Sequence, residues 1–183
     1  GRLECTLPAG FTATDGDRFT IVSALAVTGT FNNADGMLGT DGHHFRIHYD
    51  ADAVELEKVA VTTAGTPHWW MDLYGLTNDT YEAEDLLDID GDGLAAREEY
   101  IAGTLPNDAG SNLRIVPDVQ PLESGFIVQW SSEASRVYDL LGTTNLTVDF
   151  QPLETGIPAT PPENTYTDNT AQAEGFYRVQ AEK

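Results

Sequence analysis

The sequence predicts a mainly β fold with a small α-helical insert. Apolar and polar residues alternate in several runs near both ends of the chain, and the 183 residues include 17 glycines and 9 prolines. Alternation with a period of two indicates strands, and frequent turn residues are typical of short strands joined by tight turns. Helical patterns are confined to one stretch in the middle of the chain. Three segments are therefore expected, namely residues 1–66, 67–110 and 111–183.

Residues 1–66 are predicted to form a small β unit. Apolar and polar residues alternate from Phe19 to Ala24 and again from His44 to Tyr49. The short polar turn of residues 50–53 leads from the second run into a further apolar run that starts at Val54, and this pattern predicts a β-hairpin. Residues 62–67 contain glycine and proline and are expected to form a linker.

Residues 67–110 are predicted to be helical. Asp79 or Thr80 provides an N-cap for a helix, and Gly75 and Gly103 are positioned to end two others. The three helices are expected at His68–Tyr74, Tyr81–Leu87 and Ala95–Ala102.

Residues 111–183 are predicted to form a small β-sandwich. Trp130 alternates with other apolar residues and is expected to lie in its core, whereas residues 156–164 are expected to be turns. The strands are predicted at Leu113–Val116, Phe126–Trp130, Val137–Thr143 and Phe176–Ala181.

The charge of the chain excludes several classes of partner. The formal net charge is −21, and residues 68–110 carry eleven acidic residues against one arginine. Such a field repels phosphate, so no nucleic-acid partner is expected. No run of apolar residues approaches the roughly 20 that a membrane helix needs, and no membrane insertion is expected. Cys5 is the single cysteine, which leaves no disulfide framework and no cysteine-ligated zinc.

The strongest motif is the run Asp88–Glu99, whose spacing is that of a calcium-binding EF-hand loop. Asp88, Asp90 and Asp92 occupy the first, third and fifth positions, and a glycine follows where the chain must turn sharply. The carbonyl of Leu94 and a bidentate Glu99 complete the predicted ligand set. Ca²⁺ is a hard cation that takes six to eight oxygen ligands, and this spacing directs alternate side chains to one point. Calcium is the one cofactor predicted.

This loop is expected to bind one ion with modest affinity. Ala96 stands at the ninth position, where a water would replace a side-chain ligand, and the chain has no second complete loop. The predicted dissociation constant is roughly 10⁻⁴–10⁻³ M or somewhat tighter, as in extracellular modules. The alternative is an acidic turn that binds nothing. Carboxylates used as ligands are not available for general acid–base chemistry, and no catalytic motif was found, so the chain is not expected to be an enzyme.

The middle segment resembles a module found near the C-termini of large secreted bacterial proteins. It looks like a single-loop relative of dockerins and of thrombospondin type 3 calcium repeats. The resemblance implies a secreted or cell-surface location and an EF-hand-like calcium module. It rests on residues 69–76, 88–94, 98–106 and 111–115.

Two further resemblances concern the flanking segments. Residues 126–130, 137–138, 144–146 and 175–179 are similar to the small β domain that usually follows this module. Residues 17–58 resemble the last coils of a β-solenoid passenger of the autotransporter or adhesin type. A solenoid end is therefore a second possibility for the first segment.

These observations lead to one expected function and two alternatives. The first is a non-catalytic, calcium-stabilised C-terminal region that serves in display, spacing or adhesion and adjoins an upstream region of the same polypeptide. The second is a dockerin-like module that binds a cohesin-like receptor. The third is an accessory carbohydrate-binding module, for which Trp69, Trp70 and Tyr74 would supply a platform; these residues are better explained as a core. A cell-surface protein or a glycan is the partner that these alternatives imply.

Overall fold

The protein is mainly β, as predicted. Strands account for 36% of the residues and helices for 12%. None of the helices in the described part of the chain is long and apolar enough to cross a membrane. A computed structural model describes residues 1–116, 120–121, 126–169 and 175–183.

The chain forms two compact units, Gly1–Leu86 and Leu87–Lys183. The division lies within the segment that was predicted to be one helical module. Its first two helices belong to the first unit, and the acidic loop and the third helix belong to the second. The division of the chain into residues 1–66, 67–110 and 111–183 stays a prediction.

A four-stranded antiparallel sheet forms the centre of the first unit, with the strand order β1-β4-β3-β2. The hairpin predicted around residues 50–53 is present, with Tyr49 opposite Val54. The coils of a solenoid stack strands in parallel, so the predicted solenoid end is wrong, and the alternative of a small β unit agrees with the structure. The strands are β1 (Arg18–Ser23), β2 (Met37–Thr40), β3 (His43–Tyr49) and β4 (Ala53–Lys58).

The core of this sheet lies on one face and is rich in aromatic residues. Its buried members alternate along β3 and β4, as a sheet with one covered face requires. Phe11 and Phe19 pack against Phe45 from the edge of the cluster. The buried members are Leu38, Phe45, Ile47, Val54 and Leu56.

The three helices are short. They are α1 (His68–Leu73), α2 (Tyr81–Glu84) and α3 (Ala96–Ala102). Helix α2 begins after its predicted cap, because the Thr80 side chain accepts a hydrogen bond from the Ala83 N–H. It ends three residues earlier than predicted, since Leu86 and Leu87 are exposed and gain nothing by continuing it.

Helix α1 lies in the first unit and buries part of its apolar face. Trp70 and Met71 are buried. The guanidinium of Arg46, on β3, lies 4.1 Å from the centre of the Trp69 ring. Trp70 packs edge-on against Tyr74. These aromatic side chains are engaged in packing, which favours the core interpretation over a carbohydrate platform.

Two three-stranded sheets make up most of the second unit, in the orders β10-β7-β8 and β5-β6-β9. Both contribute to one cluster, in which Val128, Trp130, Tyr138 and Leu140 are fully buried. Trp130 is therefore in a core, as predicted. The strands are β5 (Gln120–Pro121), β6 (Phe126–Ser131), β7 (Val137–Thr143), β8 (Gln151–Pro158), β9 (Glu163–Asp168) and β10 (Phe176–Glu182).

Two predictions about these strands were wrong. Residues 113–116 form no strand and make a single bridge, between Ile115 and Trp130. Residues 156–164, predicted to be turns, contain the end of β8 and the start of β9. Strand β8 is mostly exposed, and β9 is polar apart from Tyr166, so neither shows the apolar alternation that marks a strand in a sequence.

Candidate metal centre

The acidic loop between Asp88 and Ala95 is held by hydrogen bonds from its own backbone. Oδ1 of Asp88 accepts the N–H of Gly91 at 2.7 Å, and Oδ2 accepts the N–H of Gly93 at 3.0 Å. Gly91 and Gly93 have φ angles of 82° and 104°, which side chains disfavour. Glycine at these two positions therefore lets the chain wrap around the Asp88 carboxylate.

Asp90 and Asp92 each use one oxygen to support the loop. Oδ1 of Asp90 accepts the N–H of Asp92 at 3.2 Å, and Oδ1 of Asp92 accepts the N–H of Leu94 at 2.8 Å. These are Asx turns, in which a side chain bonds the backbone two residues ahead. The second oxygen of each carboxylate takes no part in these turns.

Three aspartate carboxylates of the loop lie close together. Ligand oxygens of Asp88, Asp90 and Asp92 all lie within 4.8 Å of one another. Oδ2 of Asp90, Oδ2 of Asp92 and Oε1 of Glu99 are enclosed, and none has a hydrogen-bond partner among the described residues. Enclosed carboxylate oxygens without partners are costly, so each requires an explanation. A bound cation provides one for all three.

Glu99 is a buried carboxylate with a raised pKa. It lies on α3 and is 1% exposed. Burial, and then the negative charges of Asp90 and Asp92, raise the pKa of Glu99 to about 7. The charges of Asp90 and Asp92 therefore act on the Glu99 carboxylate, whereas Glu99 as a metal ligand stays a prediction.

This donor set fits calcium. All four side chains offer oxygen only, which suits a hard cation. Asp88, Asp90 and Asp92 form the group of three that lies within ligating distance, and Glu99 would complete it. The Leu94 carbonyl as a ligand stays a prediction. The Leu94 N–H donates a hydrogen bond to Asp92 within the loop.

A buried arginine anchors the helix that carries Glu99. Nε of Arg136 donates to the carbonyl of Ile101 at 2.7 Å, and its Nη2 donates to the carbonyl of Tyr100 at 3.2 Å. Arg136 is 4% exposed and directly precedes β7. A cation at the C-terminal end of a helix satisfies orphan carbonyls and complements the helix dipole. A seven-residue helix is unstable by itself, so this contact matters for α3.

Sequence reasoning did not select Arg136. It lies 37 residues after Glu99, and no local pattern connects the two positions. Gly103 offered a partial signal, because a helix-ending glycine was predicted there and is observed with a φ of 83°. A Cβ at this glycine would lie 3.1 Å from the Arg136 guanidinium.

Comparisons with known proteins identify no relative: no family model, no curated protein and no solved structure matches the chain.

Because the pKa of Glu99 is raised, we expect the affinity of the proposed site for calcium to depend on pH. In the metal-free fold its pKa is about 7, compared with an ordinary value of 4.5. Below about pH 7 calcium must displace a proton, so affinity is expected to rise by up to about tenfold per pH unit and to level off above pH 7. Titration calorimetry at about pH 6 and about pH 8 measures this. Equal affinities at the two pH values would contradict the prediction.

The same pKa predicts the pH dependence of the metal-free fold. Between pH 4.5 and about 7, the folded protein keeps a proton on Glu99 that the unfolded chain has released. The contribution of Glu99 to stability therefore falls as pH rises through this window. Glu99→Gln, which has no proton to lose, is the matched control: its stability in chelator should fall less over the same window.

Proposed function

We propose that this chain is a non-catalytic, calcium-stabilised region of a secreted or cell-surface protein that serves in display, spacing or adhesion. The observation that carries the proposal is that Asp90, Asp92 and Glu99 each have an enclosed carboxylate oxygen without a partner among the residues that the structure describes. Within the proposal, the loop and α3 are the EF-hand-like, dockerin-like part, and the two sheets of the second unit are a small sandwich.

The position of the loop supports a mechanical role. It begins at Asp88, and the first residue of the second unit is Leu87. Four carboxylates at this place repel one another until a cation joins them. Calcium would therefore order the chain where one unit leads into the next.

The proposed location follows from the expected affinity. Calcium is millimolar outside cells and far scarcer in the cytoplasm. A site with a dissociation constant of roughly 10⁻⁴–10⁻³ M would be filled only outside, which favours a secreted or surface protein.

The mechanical role predicts that calcium narrows the range of distances between the two units. Spin labels on Leu25→Cys and Leu146→Cys report this distance, because both side chains are exposed, at 105% and 63%, and each lies in a different unit. Cys5→Ser removes the native thiol. Double electron–electron resonance is expected to give a broad distribution of distances between the two labels in excess chelator and a narrower one in calcium.

Calorimetry on the same protein separates the two parts of the proposal. If calcium raises the midpoint of thermal unfolding and leaves the distance distribution unchanged, the calcium site stands and the mechanical role is overturned. Calcium without effect on either quantity would overturn both. Magnesium at the same concentration is the control for ionic strength and general screening of the acidic chain.

A further inference from the structure

The residue after the end of α3 is turned back towards Glu99. Gly103 has a left-handed backbone, and the N–H groups of Gly103 and Thr104 donate to the Glu99 carbonyl at 2.7 and 3.1 Å. A left-handed residue of this kind reverses the chain at the end of a helix. Thr104 therefore lies against the turn of α3 that carries Glu99.

The side chains of these two residues are buried next to each other. Thr104 is 5% exposed and Glu99 is 1% exposed. A side-chain interaction with Thr104 opposes the rise in the pKa of Glu99. However, neither Oγ1 of Thr104 nor Oε1 of Glu99 completes a hydrogen bond of standard geometry with any described group.

An enclosed hydroxyl without a partner destabilises a fold, and valine would fill the same space at no such cost. Threonine at this position therefore indicates that its hydroxyl has a use in another state of the protein. A carboxylate oxygen has two lone pairs, so it can bind a cation with one and accept a hydrogen bond with the other.

We propose that Thr104 is a positioning residue for the calcium site: its hydroxyl donates to the Glu99 carboxylate and directs it towards Asp90 and Asp92. The inference rests on the proposed calcium site. Groups that hydrogen-bond to metal ligands fix the direction of the ligand, and their loss typically weakens binding by 10- to 100-fold. Thr104 lies outside the Asp88–Glu99 loop, so the spacing of the motif does not identify it.

Two substitutions test the proposal. Thr104→Val keeps the shape of the side chain and removes the donor, and it is expected to weaken calcium binding roughly tenfold in titration calorimetry. Thr104→Ser keeps the hydroxyl and is expected to retain the affinity of the parent chain. Thr104→Ala removes the same hydroxyl without adding a methyl group to the buried site, and serves if the valine variant does not fold.

Unfolding in excess chelator distinguishes positioning from packing. If the hydroxyl acts on the calcium site, Thr104→Val unfolds without metal at or above the temperature of the parent chain. Equal loss of stability with and without calcium would show a packing role and overturn the proposal. Thr144→Val, at an exposed threonine of the same unit, is the matched control and should bind calcium as the parent does.

The outcome also separates this inference from the proposed function. If the parent chain binds calcium and Thr104→Val binds it equally well, the positioning role is wrong and the calcium site stands. If the parent chain does not bind calcium, both proposals fall.

Discussion

Asp90→Asn combined with Glu99→Gln is expected to make the protein more stable than the parent chain in excess chelator and insensitive to calcium. The two effects have one cause. Without metal, Asp90, Asp92 and Glu99 each keep an enclosed oxygen that has no partner in the described part of the chain. Neutral side chains of the same shape remove that repulsion, and they also remove the charges that attract a cation.

The magnitudes are large relative to ordinary surface substitutions. The pKa of Glu99 is about 7, compared with 4.5 ordinarily, so ionising it at neutral pH costs the metal-free fold about 2–3 kcal/mol. The variant is expected to recover about 2 kcal/mol of that cost. The parent chain should gain about 2.7 kcal/mol when calcium is a hundredfold above its dissociation constant, and the variant should gain nothing.

Asparagine is preferable to alanine at position 90. Oδ1 of Asp90 accepts the N–H of Asp92, and an asparagine carbonyl can accept the same bond. Calorimetric unfolding in calcium and in chelator measures both effects. Asp149→Asn with Glu154→Gln is the matched control, because it removes the same charge from exposed positions of the same unit. It should respond to calcium as the parent chain does.

Two results would contradict this expectation. A parent chain with the same midpoint in calcium and in chelator would show that the loop is an acidic turn and not a site. A variant that is still stabilised by calcium would place the ion on other groups.

Arg136→Met is expected to destabilise the second unit by about 3 kcal/mol, in calcium and in chelator alike. Arg136 donates charge-assisted hydrogen bonds to the carbonyls of Tyr100 and Ile101. Methionine fills much of the volume and leaves both carbonyls without this buried donor. Hydrogen bonds from charged groups contribute about 1.5–3 kcal/mol each, and the helix also loses a cation at its negative end.

Denaturant unfolding followed by the fluorescence of Trp130 measures this loss in a background where Trp69 and Trp70 are replaced by phenylalanine. Trp130 is fully buried in the core of the second unit, so its emission follows that unit. Arg114→Met is the matched control, since Arg114 is exposed, and its effect should stay within about 0.5 kcal/mol. A loss below about 1 kcal/mol for Arg136→Met would show that packing of α3 holds the helix without this contact.

Much of the first unit could be predicted from local pattern. The hairpin of β3 and β4 was predicted because one face of the sheet is buried, which makes apolar residues recur at every second position. Helix α1 was predicted for a similar reason, as the side chains of Trp70 and Met71 are buried. The edge strand β2 was missed: its four residues Met37–Thr40 are too few to show a period.

The strands of the second unit show where local pattern fails. Strand β9 buries Asn164 and Asp168, two residues that ordinarily mark turns. The Asn164 amide donates to the carbonyl of Pro158 and accepts the N–H of Thr160, and Asp168 accepts the hydroxyl of Tyr177. Thr160 and Pro158 lie only four and six residues before Asn164, and Tyr177 lies on β10. These bonds satisfy buried polar groups, so the strand forms without the apolar alternation that a sequence would show.

The sequence by itself determined the acidic loop, because calcium ligands in such a loop are set by spacing along a single short segment. Asp88, Asp90, Asp92 and Glu99 could all be named as candidate ligands from that spacing, as could the glycines that the turns require. Only the tertiary structure decided how α3 is held and which group faces Glu99. Arg136 lies in the second unit, directly before β7, and Thr104 is brought back to Glu99 where the chain reverses at Gly103. The Arg136 contact joins positions 35 residues apart, and no periodicity in a sequence records it.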